Sequence, residues 1–286
     1  MNSEDLARAL DVSMWATYVI SLTVIVLEFV VLRRMRERIS GREGYASIYS
    51  GLFAFGGIAV ANRIVFLGLM YVAWSYRFFD LGLGLTPWVI AFVVYDLMFY
   101  VAHRAGHRIR LLWCFHSVHH TSEEMRLTTA IRGSAFDFVY LPWFFIWIPI
   151  LGIHPSVVLI VEAFGRLWGV ATHIHPRFVG RLGWLDRWIV TPSVHRVHHG
   201  RNALYLDRNY GEVLVIWDHL FNSYQVENEA PDYGVLAPVD SGSFMDIQTS
   251  AWRALWRDVY AAQSFTQRLN ILLGPPGGSY MNHPKE

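Results

Sequence analysis

Eleven of the thirteen histidines in this chain lie between His103 and His199. Eight of them form three short clusters: His103/His107 in HRAGH, His116/His119/His120 in HSVHH, and His195/His198/His199 in HRVHH. Residues three and four apart stack on one helix face, so each cluster aims its imidazoles at a common point. Imidazole is a borderline ligand that suits iron, copper, zinc and manganese. Eight imidazoles are too many for one tetrahedral ion and suit two ions held side by side. Without a metal, the same rings would repel one another when protonated and stay unsatisfied when neutral. The spacing predicts a metal site.

Neutral histidines leave the charge of a metal uncompensated, so carboxylates are expected behind them to orient the rings and share charge. Asp96 is the first candidate. It lies seven residues before His103, two turns along the same face, inside an apolar segment where an unpaired carboxylate is costly. Asp218 is the second. The competing reading of Asp96 is a structural pair with an arginine. The single Cys114 excludes an internal disulfide and an iron–sulfur cluster, and reads as a thiol packed in a core. His154 and His283 read as structural or solvated.

The elements that must position these residues read as membrane helices. Hydrophobic residues make up 53% of the 286 and charged residues only 16%, with mean hydropathy +0.28. Ordinary soluble domains carry about 25% charged residues. Net charge is +1, which gives no electrostatic basis for a nucleic-acid partner. Met14 to Leu32 is long enough to cross a hydrocarbon core of about 30 Å. Glu4, Asp5 and Asp11 precede it, unlike the basic start of a cleaved signal peptide. Arg33, Arg34, Arg36, Arg38 and Arg42 follow it, which places that end in the cytoplasm and the N-terminus on the opposite side. A second apolar stretch runs from Ile48 to Trp74, interrupted by Asn62 and Arg63, and a third from Leu83 to His103. Two shorter apolar segments, Phe136–Leu151 and Ser156–Thr172, form a hairpin broken at Gly152 and Pro155.

Counting crossings brings every histidine cluster to the cytoplasmic face. The predicted fold is all-α: an integral-membrane bundle of about three spanning helices plus a short helical hairpin, with a cytoplasmic histidine-rich helical cap. Residues 1–102 supply the N-terminal transmembrane helices. Residues 103–225 form the histidine-rich catalytic region, including the membrane hairpin 136–172. Residues 226–286 form a C-terminal cytoplasmic tail, irregular beyond Leu273.

Three histidine motifs in this order, His-x3-His and two of His-x2-His-His, resemble the fatty acid hydroxylase/sterol desaturase superfamily of integral-membrane di-iron oxygenases. The likeness extends to Asp96 with His103-Arg104, to Thr191-Pro192, to Asn209-Tyr210-Gly211 and to Trp217-Asp218. It covers residues 96–224. The resemblance implies two iron ions, which zinc can replace during purification. It also implies metal ligation by His103, His107, His116, His119, His120, His195, His198 and His199. A further histidine between the hairpin and the last cluster completes the family's set. Spacing favours His175, twenty residues before His195, with His173 the weaker candidate.

The implied activity is hydroxylation or desaturation of a lipid by O2, the lipid being a fatty acyl chain, a sterol or an alkylglycerol ether. Aromatic residues near Trp143, Phe144, Phe145 and Trp147 are candidates to line the lipid's path, with a lipid-facing surface as the plainer reading. The segments 119–134 and 191–221 look like the ether-cleaving, pterin-dependent members. Two departures stand out: Arg108 follows His107 where those members carry an acid, and His219 follows Asp218 where a basic residue is usual. No Gly-x-Gly-x-x-Gly follows a strand pattern and no haem domain is appended. An electron-transfer partner or an external donor such as reduced pterin is therefore implied.

Three other readings compete. A structural zinc site would favour four ligands rich in Cys. A metal transporter would place ligands at several depths of the bilayer. A zinc hydrolase would carry a base such as the Glu of HExxH, which this chain lacks.

Overall fold

The computed structural model describes residues 3–61 and 66–276. Asn62, Arg63 and His283, and the glycines at 277 and 278, lie outside the described residues. The described chain is helical. It has no strand, only isolated bridges at Ile189–Leu214 and Gly200–Tyr233. Apolar backbone away from water must satisfy its own N–H and C=O groups, and a helix does so within one segment.

Three described helices are long and apolar enough to cross a membrane. They are α1 (Ser3–Arg34), α4 (Leu85–Arg108) and α7 (Pro155–Thr172). Between the first two, the second apolar stretch contributes to α2 (Gly41–Ala61) and α3 (Leu67–Ser75), and residues 62–65 lie outside the described residues. Helix α1 carries Glu4 and Asp5 in its first turn and Arg33 and Arg34 in its last, complementing the helix dipole at both ends. Val12, Trp15, Val19, Leu22 and Val26 are exposed along α1, a surface suited to lipid rather than water.

The hairpin differs from expectation in its first arm. Residues 137–151 form three short 3-10 turns, Asp137–Val139, Leu141–Phe144 and Ile148–Leu151, instead of an α-helix. Pro142 and Pro149 sit in the latter two, and proline removes a donor and clashes with the preceding turn. The second arm is the full eighteen-residue α7. At the tip, the Phe78 and Leu81 N–H groups donate to the carbonyls of Ile150 (3.0 Å) and Gly152 (3.1 Å). Gly152 has φ +89°, and a Cβ there would lie 2.7 Å from the Phe79 carbonyl oxygen, so glycine is required. The loop before α4 and the hairpin tip thus lie at one end of the bundle. Leu6, Met70, Ile148, Ile153 and Val157 pack into one core cluster there, with Ala91 and Tyr95 of α4 completing it.

The histidines gather at the other end. Helix α5 (Arg110–His120) doubles back on α4, and α8 (Pro192–His198) and α9 (Ile216–Leu220) follow α7. Short α6 (Leu127–Ala130) lies between the second histidine cluster and the hairpin. Helices α10 (Phe244–Ala261) and α11 (Phe265–Leu273) cover α5: Leu255 and Val259 pack on Cys114, with Leu272 beside them.

Candidate metal centre

Nine imidazoles converge in two groups. His103, His107, His116, His120 and His198 form the first, and His119, His173, His195 and His199 the second. Within each group the ligand atoms lie within 4.8 Å of one another. Local structure explains the convergence. His103 and His107 leave the last turns of α4 one turn apart. At Gly106 a Cβ would press on the His116 Cβ at 3.3 Å, so a bare glycine lets α5 stack against α4. Thr191 caps α8 by accepting from the Val194 N–H at 3.3 Å, and α8 presents His195, His198 and His199.

Backbone carbonyls hold four of the nine rings in one tautomer. Nδ1 of His103, His119, His173 and His198 donates to the carbonyls of Tyr210 (2.8 Å), Arg132 (3.0 Å), Gly169 (2.6 Å) and Arg208 (2.9 Å). A carbonyl only accepts, so Nδ1 carries the hydrogen and Nε2 of a neutral ring presents a lone pair. Those lone pairs face one another: His173 and His119 Nε2 are 3.1 Å apart, and His103 Nε2 is buried with no hydrogen-bond partner among the described residues. In the second group His195 Nε2 lies 3.0 Å from that of His173 and 3.1 Å from that of His199. In the first, His120 Nε2 lies 3.1 Å from those of His116 and His198.

Acceptors aimed at acceptors need a cation between them. Metal–nitrogen bonds of about 2.0–2.1 Å bring neighbouring ligand nitrogens to about 2.9–3.4 Å apart, which these spacings match. The donor set therefore fits two transition-metal ions. Burial, reinforced by neighbouring imidazoles, pushes His120, His195 and His199 well below the ordinary imidazole range, and burial takes His119 down to about 4. The rings are thus neutral and ready to ligate.

His173, not His175, stands in the second group, which reverses the order drawn from spacing. Helix α7 ends at Thr172, so His173 is its C-cap and its Nδ1 reaches back to Gly169. Past the cap the chain turns away. The His175 ring accepts from the Arg177 N–H at 3.2 Å, and its backbone N–H donates to Glu28 at 2.8 Å.

Among the described residues, Asp96 and Asp218 hydrogen-bond to none of the nine converging imidazoles, and Asp96 to no arginine. Asp96 accepts from the N–H groups of Val213 (3.0 Å) and Leu214 (3.3 Å) and from Trp217 Nε1 (2.8 Å). Asp218, fully buried, accepts from the N–H groups of Tyr210 (2.8 Å) and Gly211 (2.9 Å) and from the Ser223 hydroxyl (2.7 Å). Both carboxylates fasten the loop whose Arg208 and Tyr210 carbonyls fix His198 and His103. Asn209 in the same loop adopts φ +56° and donates to the Val194 and Gln225 carbonyls at 3.0 and 2.8 Å. A Cβ on Gly211 would meet the Leu214 carbonyl oxygen at 2.5 Å. The Asn209-Tyr210-Gly211 and Trp217-Asp218 motifs are the two halves of this clamp.

Sequence reasoning missed three supports. Glu28 of α1 accepts from the Leu127 (2.7 Å) and His175 N–H groups. Its signal was a lone acid within the first apolar run. Arg132, fully buried, donates to Thr121 Oγ1, Ser47 Oγ and the Glu43 carbonyl, fixing the carbonyl that holds His119. Asp207 lies 3.8 Å from His107 Nδ1 and 3.2 Å from Arg108. No local spacing pointed to these last two. Trp143 and Phe145, candidates for the lipid path, diverge: Trp143 is exposed, and Phe145 is buried on Tyr95. His154 caps α7, its Nδ1 accepting from the Ser156 N–H at 3.2 Å.

Apolar helices ending in two converging sets of neutral imidazoles make a membrane-capable bundle whose histidine end is compatible with metal binding. Residues 88–223 match the family described as Fatty acid hydroxylase, and the chain belongs to that family. The matched region holds all nine converging imidazoles and both clamp carboxylates. The chain is 33% identical to the alkylglycerol monooxygenase of Xenopus tropicalis over 243 residues, 82% of this chain and 52% of that protein. It is 32% identical to the Homo sapiens alkylglycerol monooxygenase over 260 residues, 90% of this chain and 58% of that protein. The ornithine lipid hydroxylase OlsE of Rhizobium tropici is 31% identical over 162 residues, 54% of this chain and 47% of that protein. The chain spans about half the length of these curated relatives. No solved structure matches the chain.

Proposed function

We propose that the protein is an integral-membrane oxygenase that uses O2 to oxidise a C–H bond of a lipid, with its histidine end on the cytoplasmic face. The observation that carries this reading is the convergence of nine imidazoles in two groups, four of them with Nδ1 tied to a carbonyl and Nε2 turned inward. Two iron ions, bound by the five-histidine and four-histidine groups, would supply reductive activation of O2. The overall balance is lipid C–H plus O2, two electrons and two protons, giving lipid C–OH and water. No residue here can store those electrons, so an external donor must supply them. Names of relatives support an ether lipid or an ornithine lipid as first test substrates.

The chain's own residues hold and shield this centre. Carbonyls of Tyr210, Arg132, Gly169 and Arg208 fix which ring nitrogen faces the metals. Asp96 and Asp218 stiffen the loop that presents two of them. Seven of the nine imidazoles are buried, which limits water at the centre. All nine imidazoles at one end of the bundle, rather than at several depths, oppose a transport role.

The test is anaerobic iron loading followed by metal analysis and oxygen-uptake measurement with a chemical reductant and each test lipid. Two irons per chain and lipid-stimulated uptake are expected. Tightly held zinc with no uptake under any lipid would sink the oxygenase reading.

A further inference from the structure

Two side chains on the long helices fix how deep the chain after α7 sits. Asp96 anchors the Val213 and Leu214 N–H groups and Trp217 Nε1, and it lies eleven residues after Leu85, the start of α4. Trp168 donates through Nε1 to the Val190 carbonyl at 2.8 Å, and it lies thirteen residues after Pro155, the start of α7. At about 1.5 Å per residue, these levels are about 17 and 20 Å from the two helix starts. Both helices start at the hairpin-tip end of the bundle. A hydrocarbon core is about 30 Å thick, so both levels fall short of its far face. Tilting a helix only brings them lower. Val89, Val93 and Val101 are exposed along α4 and carry its lipid-facing stripe past the level of Asp96. The segment that follows α7 thus lies beside the apolar part of the membrane helices.

That segment turns a large apolar surface outward. The Val190 N–H donates to the Val213 carbonyl at 2.8 Å and the Val215 N–H to the Trp188 carbonyl at 3.1 Å, which joins its two pieces. On the first piece, the turn Gly183–Arg187 and the residue after it, Trp184 and Trp188 are exposed; on the second, α9, Ile216 and Leu220 are. All four are 55–69% exposed. Phe221 stacks on Tyr100 at 5.3 Å and the Arg104 guanidinium lies 6.0 Å from its ring, so α9 climbs α4 toward the histidines. His219, exposed on α9, donates from Nε2 to the Arg187 carbonyl at 3.1 Å and so needs no water. Charge completes the pattern. Arg177, Arg181 and Arg187 are exposed and form no ion pair among the described residues. Asp186, the one acid between Arg177 and Trp188, is buried and accepts from the Gly183 N–H and the Thr191 hydroxyl. The exposed charge of this stretch is therefore all positive, which complements phosphate head groups.

We infer that residues 184–188 and α9 form a wedge sunk into the lipid leaflet at the histidine end, a further membrane-embedded element beside the three long helices. Its partner is phospholipid. Acyl chains cover Trp184, Trp188, Ile216 and Leu220, and the arginines reach the phosphates, as long basic side chains do at a membrane boundary. An apolar surface of this kind needs a cover, and at this depth a soluble partner would have to enter the bilayer to supply it. No apolar run marks the wedge in the sequence, because Asp186, Asp218 and His219 interrupt it. Only the bonds to Asp96 and Trp168 reveal its level. The inference rests on the membrane reading of the long helices and not on the oxygenase reading.

The test places an environment-sensitive fluorophore on Ile216→Cys and on Leu220→Cys of the metal-replete full chain, in phosphatidylcholine vesicles with and without nitroxide-labelled acyl chains. Native Cys114 is buried. Val19→Cys on the exposed face of α1 and Leu236→Cys near the histidine end serve as the lipid and water references. Both wedge labels should emit to the blue of the Leu236→Cys label, lose fluorescence to the nitroxide as the Val19→Cys label does, and resist aqueous iodide. Trp188→Cys gives a third reading should either variant fail to accumulate. Iodide quenching without nitroxide quenching at the wedge would overturn the inference by placing the surface in water. Protection from both quenchers would overturn it by placing a protein, a second copy included, over the patch. Nitroxide failing at Val19→Cys as well would remove the membrane reading together with the wedge.

Discussion

His173 and His175 differ by two residues in sequence and by their whole environment in space. The His173 ring lies 3.0–3.2 Å, Nε2 to Nε2, from His119, His195 and His199, whereas His175 faces Arg177. His173→Ala should therefore lose about one of two metals, since the second group falls to three imidazoles. His175→Ala should retain both, because Glu28 bonds to its backbone and not its ring. Metal content per folded chain checks both variants, and metal loss from His175→Ala alone would reverse the assignment. The clustered histidines were legible because i, i+3 and i, i+4 spacings are local. The ninth converging imidazole was not, because a helix end decides which of two histidines turns inward. The carboxylates show the same limit. Asp96 and Asp218 were recognisable as costly buried charges, but their partners are backbone N–H groups that no spacing reveals.

At the scale of elements, α1 acts as a tie rod for the site. Glu28, one turn before its basic end, accepts from Leu127 in the segment after the second histidine cluster and from His175 in the segment after α7. Both donors come from backbone that leads out of a segment bearing converging histidines. Glu28→Leu should leave the buried Leu127 N–H and the half-buried His175 N–H unpaired, at roughly 1–3 kcal/mol for the buried one and less for the other. A lowered thermal midpoint is expected, with weakened retention of metal at the second group in a chelator competition. A variant as stable as the wild type, with unchanged metal retention, would reduce α1 to a membrane anchor. Helices α1 and α4 could be read from apolar length alone, which is a sum over residues, whereas α7 reads in the sequence only as a short hairpin arm. The 3-10 course of residues 137–151 could not be read this way. Both arms are apolar, and Pro142 and Pro149 lie within the first arm whereas α7 has its proline only at its first residue, where it is tolerated.

Across the whole molecule, the two ends of the bundle differ in charge as well as content. Arg33, Arg34, Arg36, Arg38 and Arg42 border the end that holds the histidines, while the opposite loop carries Arg77 paired with Asp80 at 3.2 Å. An excess of arginine marks the cytoplasmic side, so the metal-binding end should face inward and the loop with the hairpin tip outward. The native thiol does not obscure a labelling test. Cys114 is buried under α10, and burial raises its thiol to about 12, leaving little reactive thiolate. Phe78 on the outer loop and Leu236 near the histidine end are both well exposed, so each tolerates replacement by cysteine. In intact cells a membrane-impermeant maleimide should label Phe78→Cys and spare Leu236→Cys until the membrane is opened. The reverse pattern would place the imidazoles outside, where cytoplasmic reductants could not serve them, and would remove the electron supply that lipid oxidation requires.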